Sequence, residues 1–341
     1  MSTPLPVVGI GASAGGVEAM RNLFAHLPRD FPAALLVVLH LPPHSPSQLH
    51  RILADASTLE VSIGKDGEHL QPGHAYVATP DRHLLQDGNN RIRLSRGPKE
   101  CRVRPAVDVL FRSLAVSCGA NAAGVVLSGN LDDGTAGLWS LKEHGGRTFV
   151  QDPAEAMYDG MPQSAIAHVA VDHVDTAEGL AGALTAWARD TAGAPPGAPA
   201  PMEPHEVESR IANEANAMQA GVLGLGRPSK YSCPDCHGVL MQIEEGPLVR
   251  FRCHTGHAFS MQTLLAEVDT AIDKGLWATL RAIEERQLLL RHMAQVARQR
   301  GSEVRAVACE ERASRLDNPV ELVRRMVLDP LIFSHDVDGG G

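Results

Sequence analysis

Short apolar runs alternate with segments of helical periodicity from residue 5 to about residue 190, and no other feature constrains the fold as strongly. Leu5–Ile10 form the first run, and apolar residues at helical spacing follow from Val17. Further strands are predicted at Leu35–Leu39, Leu59–Ile63, Ala75–Ala78, Gly124–Leu127, Thr148–Gln151 and Val169–Val171. Helices are predicted to begin near Gly15, Ser47, Ala106, Gly134, Ala165 and Thr176. This rhythm favours an α/β fold, namely a doubly wound, mostly parallel sheet with helices on both faces.

Two segments depart from this rhythm. Between Arg82 and Leu94, two short runs flank the turn sequence DGNN, which predicts a β-hairpin insertion. Residues 191–204, TAGAPPGAPAPMEP, are rich in Pro, Ala and Gly without periodicity and are typical of a linker. We therefore expect a first domain over residues 1–190, a linker over 191–204, a second region over 205–330 and a tail at 331–341.

The second region combines a short helical piece near 206–217, a cysteine-bearing segment at 231–260 and a long helix from about Met261 to Arg300. Apolar residues form a stripe along that helix: Leu264, Leu265, Val268, Ile272, Leu276, Leu280, Ile283, Leu288 and Leu289. Such a stripe is typical of packing on the chain's own domain or on a partner helix. Residues 261–300 are therefore a candidate surface for a partner helix.

Charge and hydropathy exclude several classes of function. The 341 residues carry a formal net charge of −9, which argues against nucleic acid or an acidic membrane surface as the main partner. The chain has no apolar run of the roughly 18 residues that a membrane span requires, and its N-terminus has no charged-then-apolar leader. We therefore expect a cytoplasmic protein without membrane insertion.

The sequence VVGIGASAGGVEAM, residues 7–20, places Ser13 on a strand-to-helix turn among small residues. A phosphate-binding Walker loop would need a lysine and a hydroxyl at its end, and a dinucleotide fingerprint would need G-x-G-x-x-G; neither is present. Residues 11–15 instead match G-x-S-x-G, in which small neighbours expose a nucleophilic serine at a helix N-terminus. Close packing would also explain small residues around a serine, so the turn alone leaves both interpretations open.

A nucleophilic serine needs a base and a group that orients the base. His40 ends the next predicted strand, and in a parallel sheet it would share an edge with Ser13. After another buried strand, the sequence LSGNLDDGTAGL supplies Asp132, expected to cap the following helix, and Asp133, expected either to cap it or to orient His40. The remaining candidates among the 16 histidines are expected to be bystanders, including His44, His50, His69, His74 and His83.

Six ordered blocks now resemble the catalytic domain of the chemotaxis protein-glutamate methylesterase (CheB-type) family, over roughly residues 5–190. They are GIGASAGG, VVLHLPP, AYVATPDRHL, VRPAVDVLFRSLA, LSGNLDDGTAGL and QDPAEAMYDGMPQSAI. The family's catalytic triad falls on Ser13, His40 and Asp133, and backbone N–H groups of Ala14 and Asn130 are its candidate oxyanion donors. The resemblance implies hydrolysis of glutamate γ-methyl esters on chemoreceptor-type proteins with release of methanol, and in some members deamidation of glutamine.

The chain departs from the family at two places. Asn130-Leu131 stands where the family commonly has Met-Gly, and loss of that glycine could alter the shape of the turn. The family's chemotaxis members also carry an N-terminal receiver domain. Since Leu5 already begins the predicted sheet, we expect no receiver domain ahead of it.

Four cysteine and histidine residues have the spacing of a zinc ribbon. Cys233-x2-Cys236 is followed after sixteen residues by Cys253-x3-His257, with a predicted hairpin turning at residues 245–246 between them. The segment is too small to bury a core alone, so a structural Zn²⁺ would supply folding energy. His254 and His237 are alternatives for the fourth ligand, and no cofactor is expected for catalysis.

Two classes of function remain at the level of sequence. The first is a serine esterase that acts on methylated chemoreceptor-like proteins. The second is a regulatory or scaffold protein that keeps the esterase fold and acts by binding partners through its C-terminal region.

Overall fold

The chain forms two compact units, Met1–Thr263 and Leu264–Gly341. The computed structural model describes residues 5–40, 47–193, 203–214 and 216–329. The predicted linker at 191–204 lies mostly outside the described residues, as does the predicted tail at 331–341.

A parallel sheet of seven strands forms the centre of the first unit, in the order β3-β4-β2-β1-β7-β8-β9. The strands, in chain order, are β1 (Val7–Ala12), β2 (Ala34–Leu39), β3 (Glu60–Ile63), β4 (His74–Val77), β5 (His83–Gln86), β6 (Ile92–Ser95), β7 (Ala122–Val126), β8 (Arg147–Gln151) and β9 (His173–Asp175). Of these, β5 and β6 form the predicted antiparallel hairpin. Because β1 lies between β2 and β7, the carboxyl ends of these three strands meet at one edge of the sheet.

Helices cover both faces of this sheet, as predicted. They are α1 (Gly16–Ala25), α2 (Leu49–Ala56), α3 (Val107–Cys118), α4 (Thr135–Glu143), α5 (Gly160–His168) and α6 (Ala177–Thr191). One apolar core lies between the sheet and α1, α2 and α6, and a second lies between the sheet and α3, α4 and α5. Near-continuous apolar strands are expected when both faces of a parallel sheet are covered.

Strand β1 approaches α3 closely because two of its residues are glycines. A Cβ at Gly11 would lie 2.1 Å from Val107 Cγ1, and a Cβ at Gly9 would lie 2.8 Å from Leu114 Cδ1. Since α3 sits directly against the backbone of β1, its first turn reaches the edge of the sheet where the strand ends.

The predicted strand at Val169–Val171 is wrong. Those residues follow α5, where Val169 packs into the second apolar core, and the edge strand β9 begins only at His173. All three residues of β9 are exposed, so the strand carries no apolar run. The helix expected from Ala165 begins earlier, at Gly160.

The cysteine-bearing segment forms an antiparallel sheet in the order β10-β11-β12-β13. Its strands are β10 (Arg227–Ser232), β11 (Val239–Glu245), β12 (Leu248–Cys253) and β13 (Ala258–Ser260), and the helices α7 (Glu203–Ala212) and α8 (Ala217–Ala220) precede it. The β11–β12 hairpin turns where the sequence predicted it. We refer to residues 227–260 as the ribbon.

The ribbon belongs to the same compact unit as the parallel sheet, so the structure divides the chain at Thr263 and not at the expected boundary near residue 190. Buried ion pairs account for the difference. Arg252 Nη2 on β12 lies 2.7 Å from Glu100 Oε1 and 2.7 Å from Glu208 Oε1 on α7, and Glu100 Oε2 in turn lies 3.1 Å from Arg112 Nη1 on α3. Charges of this kind are retained in a protein interior only when they are paired.

The second unit consists of helices. The helix α9 (Met261–Gln299) confirms the predicted long helix and is followed by α10 (Glu303–Ser314) and α11 (Asp317–Leu328). Ala294 and Ala297 of α9 form a small buried cluster with Ala306 and Cys309 of α10. Among the described helices, none combines the length and the apolar character needed to cross a membrane.

The close approach of β1 to α3 predicts opposite effects for two glycine substitutions. Gly11→Ala is expected to lower the free energy of unfolding by about 1–3 kcal/mol, because the new methyl group overlaps Val107. Gly182→Ala, at an exposed position of α6 with open space around it, is expected to raise that free energy by about 0.5–1 kcal/mol through helix propensity. Denaturant unfolding measures both, and equal effects of the two variants would contradict the packing argument.

Candidate active site and metal centre

Ser13 follows the last residue of β1 and is held in a tight turn before α1. Its N–H donates to the carbonyl of Ser128 at 2.9 Å, and its own carbonyl accepts from the N–H of Gly16 at 3.0 Å. Gly15 has a φ of 73°, and a Cβ there would lie 2.6 Å from Ser128 Oγ. Only glycine therefore suits this position, and the turn presents Ser13 at the carboxyl edge of the sheet.

The segment after β7 passes close to Ser13. A Cβ at Gly129 would lie 2.9 Å from Ser13 Cβ, so the residue that precedes Asn130 packs against the serine. In the hydrogen bonds found among the described residues, neither the N–H of Asn130 nor that of Ala14 has an acceptor. The two predicted oxyanion donors therefore belong to residues next to, or one residue from a neighbour of, Ser13, and within the described part of the chain they make no backbone hydrogen bond of their own.

His40 and Asp133 are in direct contact. His40 follows β2, and its Nε2 lies 2.7 Å from Asp133 Oδ2. The two side chains are 13% and 4% exposed, so little water competes for this bond. Because the carboxylate accepts from Nε2–H, the proton of the neutral ring is assigned to Nε2, and Nδ1 is left as the basic nitrogen.

Asp133 also caps a helix that is distant in sequence. Its Oδ2 accepts from the N–H of Val107 at 2.7 Å and its Oδ1 accepts from the N–H of Asp108 at 3.0 Å, both in the first turn of α3. Ala106, at the N-cap position of α3, has no side-chain acceptor of its own. Asp133 is therefore held by three hydrogen bonds and by the positive end of the helix dipole.

Among the hydrogen bonds of the described residues, none joins Ser13 Oγ to His40. The residues are nevertheless adjacent in the fold, since the N–H of His40 donates to the carbonyl of Ala12 at 3.1 Å. Catalytic hydrogen bonds are often long or absent before substrate binds. The structure thus brings His40 and Asp133 together and places Ser13 at the neighbouring strand end.

Asp132 does not cap its own helix, contrary to the sequence prediction. Gly134, with a φ of 97°, occupies the N-cap position of α4, and the side chain of Asp132 instead accepts from Ser260 Oγ of the ribbon at 2.8 Å. Burial raises the pKa of Asp132 to about 6.

Leu131, in the loop before the two aspartates, adopts a backbone conformation that favours glycine. Its φ is 63°, in the left-handed region that disfavours residues with a Cβ. Leu131 therefore holds, at a cost in backbone strain, a conformation that glycine would adopt freely.

Of the histidines expected to be bystanders, His83 has a clear structural role. His83 is fully buried, with Nε2 2.9 Å from the carbonyl of Pro98 and Nδ1 accepting from the N–H of Ala106 at 3.2 Å. Burial lowers its pKa. His83 thus satisfies one more N–H at the start of α3, a role that sequence reasoning missed; an alanine at a helix N-cap position was the available signal. His44 lies outside the described residues.

The four predicted metal ligands converge in the ribbon. The ligand atoms of Cys233, Cys236, Cys253 and His257 all lie within 4.8 Å of one another. Cys236 Sγ is 3.6 Å from Cys253 Sγ, and His257 Nδ1 is 3.6 Å and 3.7 Å from the sulfurs of Cys233 and Cys253. Ligand atoms around a tetrahedral Zn²⁺ are separated by roughly 3.5–3.8 Å, so this set fits the ion.

The alternative ligands do not belong to this cluster. His237 and His254 are exposed, and His254 packs its ring against Gly238, where a Cβ would lie 2.3 Å from His254 Cε1. Among the residues that the structure describes, Cys101, Asp108 and Asp133 form the other group of close potential ligand atoms.

The fold and the site together define a class of protein. It is an α/β protein with a serine, a histidine and an aspartate at the ends of three neighbouring strands. The chain belongs to the CheB methylesterase family, whose model matches residues 8–184. The crystal structure of the Thermotoga maritima CheB methylesterase catalytic domain is 33% identical, with a TM-score of 0.52, over 53% of this chain and 98% of that one.

Curated relatives are named as protein-glutamate methylesterases. Protein-glutamate methylesterase/protein-glutamine glutaminase 1 of Geobacter metallireducens is 41% identical over 171 residues, which are 49% of this chain and 47% of the relative. Protein-glutamate methylesterase/protein-glutamine glutaminase of Pectobacterium atrosepticum is 43% identical over 171 residues, 49% of each chain. The chain spans about half the length of the curated relatives it matches.

The strained backbone at Leu131 predicts a stabilising substitution. Leu131→Gly is expected to raise the free energy of unfolding by about 0.5–1 kcal/mol, since relief of the left-handed strain exceeds the entropy that glycine adds to the unfolded chain. Leu131→Ala, which keeps a Cβ, serves as the matched control and should show no gain. If calorimetry gives the two variants the same melting temperature, strain at this residue is not significant.

Proposed function

We propose that this protein is a protein-glutamate methylesterase that uses Ser13, His40 and Asp133 as a catalytic triad. The observation that carries the proposal is the 2.7 Å contact between His40 Nε2 and Asp133, at the strand end next to the G-x-S-x-G turn. Membership of the CheB methylesterase family supports it. The substrates are glutamate γ-methyl esters on chemoreceptor-type proteins, and glutamine side chains are a second substrate class.

The proposed mechanism follows from the two nitrogens of His40. With Nε2–H bonded to Asp133, Nδ1 accepts the proton of Ser13 as Oγ attacks the ester carbonyl. The N–H groups of Ala14 and Asn130 bind the oxyanion of the tetrahedral intermediate. Collapse releases methanol, which takes the proton from His40, and leaves an acyl-enzyme. Water, activated by His40, then frees the glutamate carboxylate and Ser13.

Asp133 has two roles in this scheme. It fixes the His40 tautomer, and its charge stabilises the imidazolium that forms when Ser13 is deprotonated. Because helix α3 donates two N–H groups to the same carboxylate, Asp133 stays oriented when it is not bonded to His40.

Methanol release from methylated receptor fragments tests the proposal. Ser13→Ala is expected to lower kcat by about 10³-fold or more, and Asp133→Asn by about 10²–10⁴-fold because the His40 tautomer is no longer fixed. Ser117→Ala, near the far end of α3, is the matched serine control and should retain activity.

Failure of the folded wild-type protein to release methanol would contradict the esterase. It would favour the alternative of a protein that acts by binding partners.

We further propose that Cys233, Cys236, Cys253 and His257 hold a structural Zn²⁺. The distances among the four ligand atoms support it, as does the small size of the ribbon. Four protein ligands leave no open coordination position, so the ion would stabilise the ribbon and take no part in ester hydrolysis.

Ligand substitution separates the candidate histidines. Protein purified without chelator is expected to contain one zinc per chain, and His257→Ala is expected to lose it and to melt at a lower temperature. His254→Ala is the matched control, because His254 lies in the same loop as His257 but outside the ligand cluster. Zinc retained by His257→Ala and lost by His254→Ala would assign the fourth ligand to His254.

A further inference from the structure

Asp108 and Asp133 cap each other's helices. Asp108, in the first turn of α3, is 4% exposed, and its Oδ1 accepts from the N–H of Gly134 at 2.9 Å and of Gly137 at 2.7 Å, at the start of α4. Asp133, just before α4, accepts in return from the N–H groups of Val107 and Asp108 at the start of α3. This exchange therefore fixes the α4 end of the loop that carries Asp133 against the start of α3.

We propose that Asp108 is a positioning residue of the site, which sets the orientation of the Asp133 carboxylate toward His40 through its hydrogen bonds to the start of α4. This inference rests on the proposed function. Asp108 makes no contact with His40 in the described structure and acts through Asp133.

The starts of α3 and α4 are in close contact, which leaves no room for another group to replace the Asp108 carboxyl as acceptor. A Cβ at Gly137 would lie 2.7 Å from the carbonyl oxygen of Asp108, and a Cβ at Gly134 would lie 2.9 Å from Val107 Cγ1. Removal of the Asp108 carboxyl would leave two N–H groups without acceptors and a buried void beside them. Because a buried N–H without an acceptor costs free energy, we expect the start of α4 to shift toward new acceptors in such a variant and to carry the adjacent Asp133 with it.

The surroundings of Asp108 favour its neutral form. Burial and then the Asp133 carboxylate raise the pKa of Asp108 to about 8. The other charged or titratable groups that face it are Arg112 one turn along α3, Arg250 on β12, and the Cys101 thiol, whose Sγ lies 3.8 Å from Asp108 Oδ2. A neutral Asp108 keeps its acceptor for α4 and adds no second charge beside Asp133.

Asparagine is therefore the conservative replacement and alanine the disruptive one. For folded enzyme near pH 7, Asp108→Ala is expected to lower kcat by about 10- to 100-fold with little change in KM, because a displaced Asp133 impairs proton transfer but not substrate binding. Asp108→Asn, which retains the acceptor, is expected to stay within about threefold of wild type. Equal kcat per folded molecule for Asp108→Ala and wild type would overturn the proposal.

A second readout does not require esterase activity. In histidine-labelled protein, the Nε2 proton held between His40 and Asp133 should give a low-field NMR signal, assigned by its loss in His40→Gln. Asp108→Ala is expected to lose or shift this signal and Asp108→Asn to keep it. Asp172→Ala removes another largely buried, multiply bonded carboxylate, remote from His40, and should leave the signal unchanged. An unchanged signal in Asp108→Ala would mean that Asp108 is only a structural cap.

These two readouts distinguish the failure of each proposal. If wild type and Ser13→Ala both release no methanol, the esterase proposal fails, whereas the NMR signal still tests the role of Asp108. If wild type is active and the signal survives in Asp108→Ala, the positioning role fails and the esterase proposal stands.

Stability as a function of pH gives an independent check. Asp108 loses its proton at about pH 4 in the unfolded chain and at about pH 8 in the folded chain. Between these values the folded state binds more protons than the unfolded state. The contribution of Asp108 to the free energy of unfolding therefore falls as the pH rises. Asp108→Asn removes that dependence. The melting temperature of Asp108→Asn minus that of wild type is expected to increase as the pH is raised from about 5 to about 8.5. A difference that stays constant over this range would contradict a neutral Asp108.

Discussion

The carboxylate of Asp133 is the interaction on which the geometry of the site depends. It receives one hydrogen bond from the end of β2 through His40 and two from the first turn of α3. The donors come from two separate stretches of chain and the carboxylate from a third, and these hydrogen bonds fix the three relative to one another. A carboxylate this deeply buried is tolerated because it accepts three hydrogen bonds and lies at the positive end of the α3 dipole.

The loops around the site adopt backbone shapes that most residues avoid. Gly15 in the serine turn, Leu131 before the aspartates and Gly134 at the start of α4 all have positive φ. Two of these positions are glycines, for which the conformation is unstrained. Leu131 is not a glycine, so its conformation is strained. The surrounding hydrogen bonds hold the segment against that strain, and one of them is the donation from Gly129 N–H to the Tyr158 carbonyl at 2.9 Å.

Local patterns in the sequence predicted the sheet, both helical layers, the hairpin and the residues at the three strand ends. They succeeded because a strand end and a G-x-S-x-G turn are defined by adjacent residues. Contacts across the fold were not predictable in this way: Asp133 caps a helix that starts 26 positions earlier, and Arg252 pairs with Glu100 over a separation of 152 positions. The exposed edge strand β9 was missed because it buries no side chain and so has no apolar period.

The same long-range pairs explain why the ribbon is part of the first unit. Arg252 donates through Nη1 to the carbonyl of Gly256 at 2.8 Å, within the Cys253–His257 loop, and through Nη2 to Glu100 and Glu208. Burial alone would raise the pKa of Glu100, but Arg112 on α3 and Arg252 hold it below its ordinary value.

Removal of either arginine would leave the buried Glu100 carboxylate with one cation in place of two, which destabilises the folded state, so the folding of the ribbon and of α3 is coupled. Since the first turn of α3 also anchors Asp133, the ribbon's cysteine loop and the candidate catalytic aspartate are both held through α3, the loop by buried ion pairs and the aspartate by backbone hydrogen bonds.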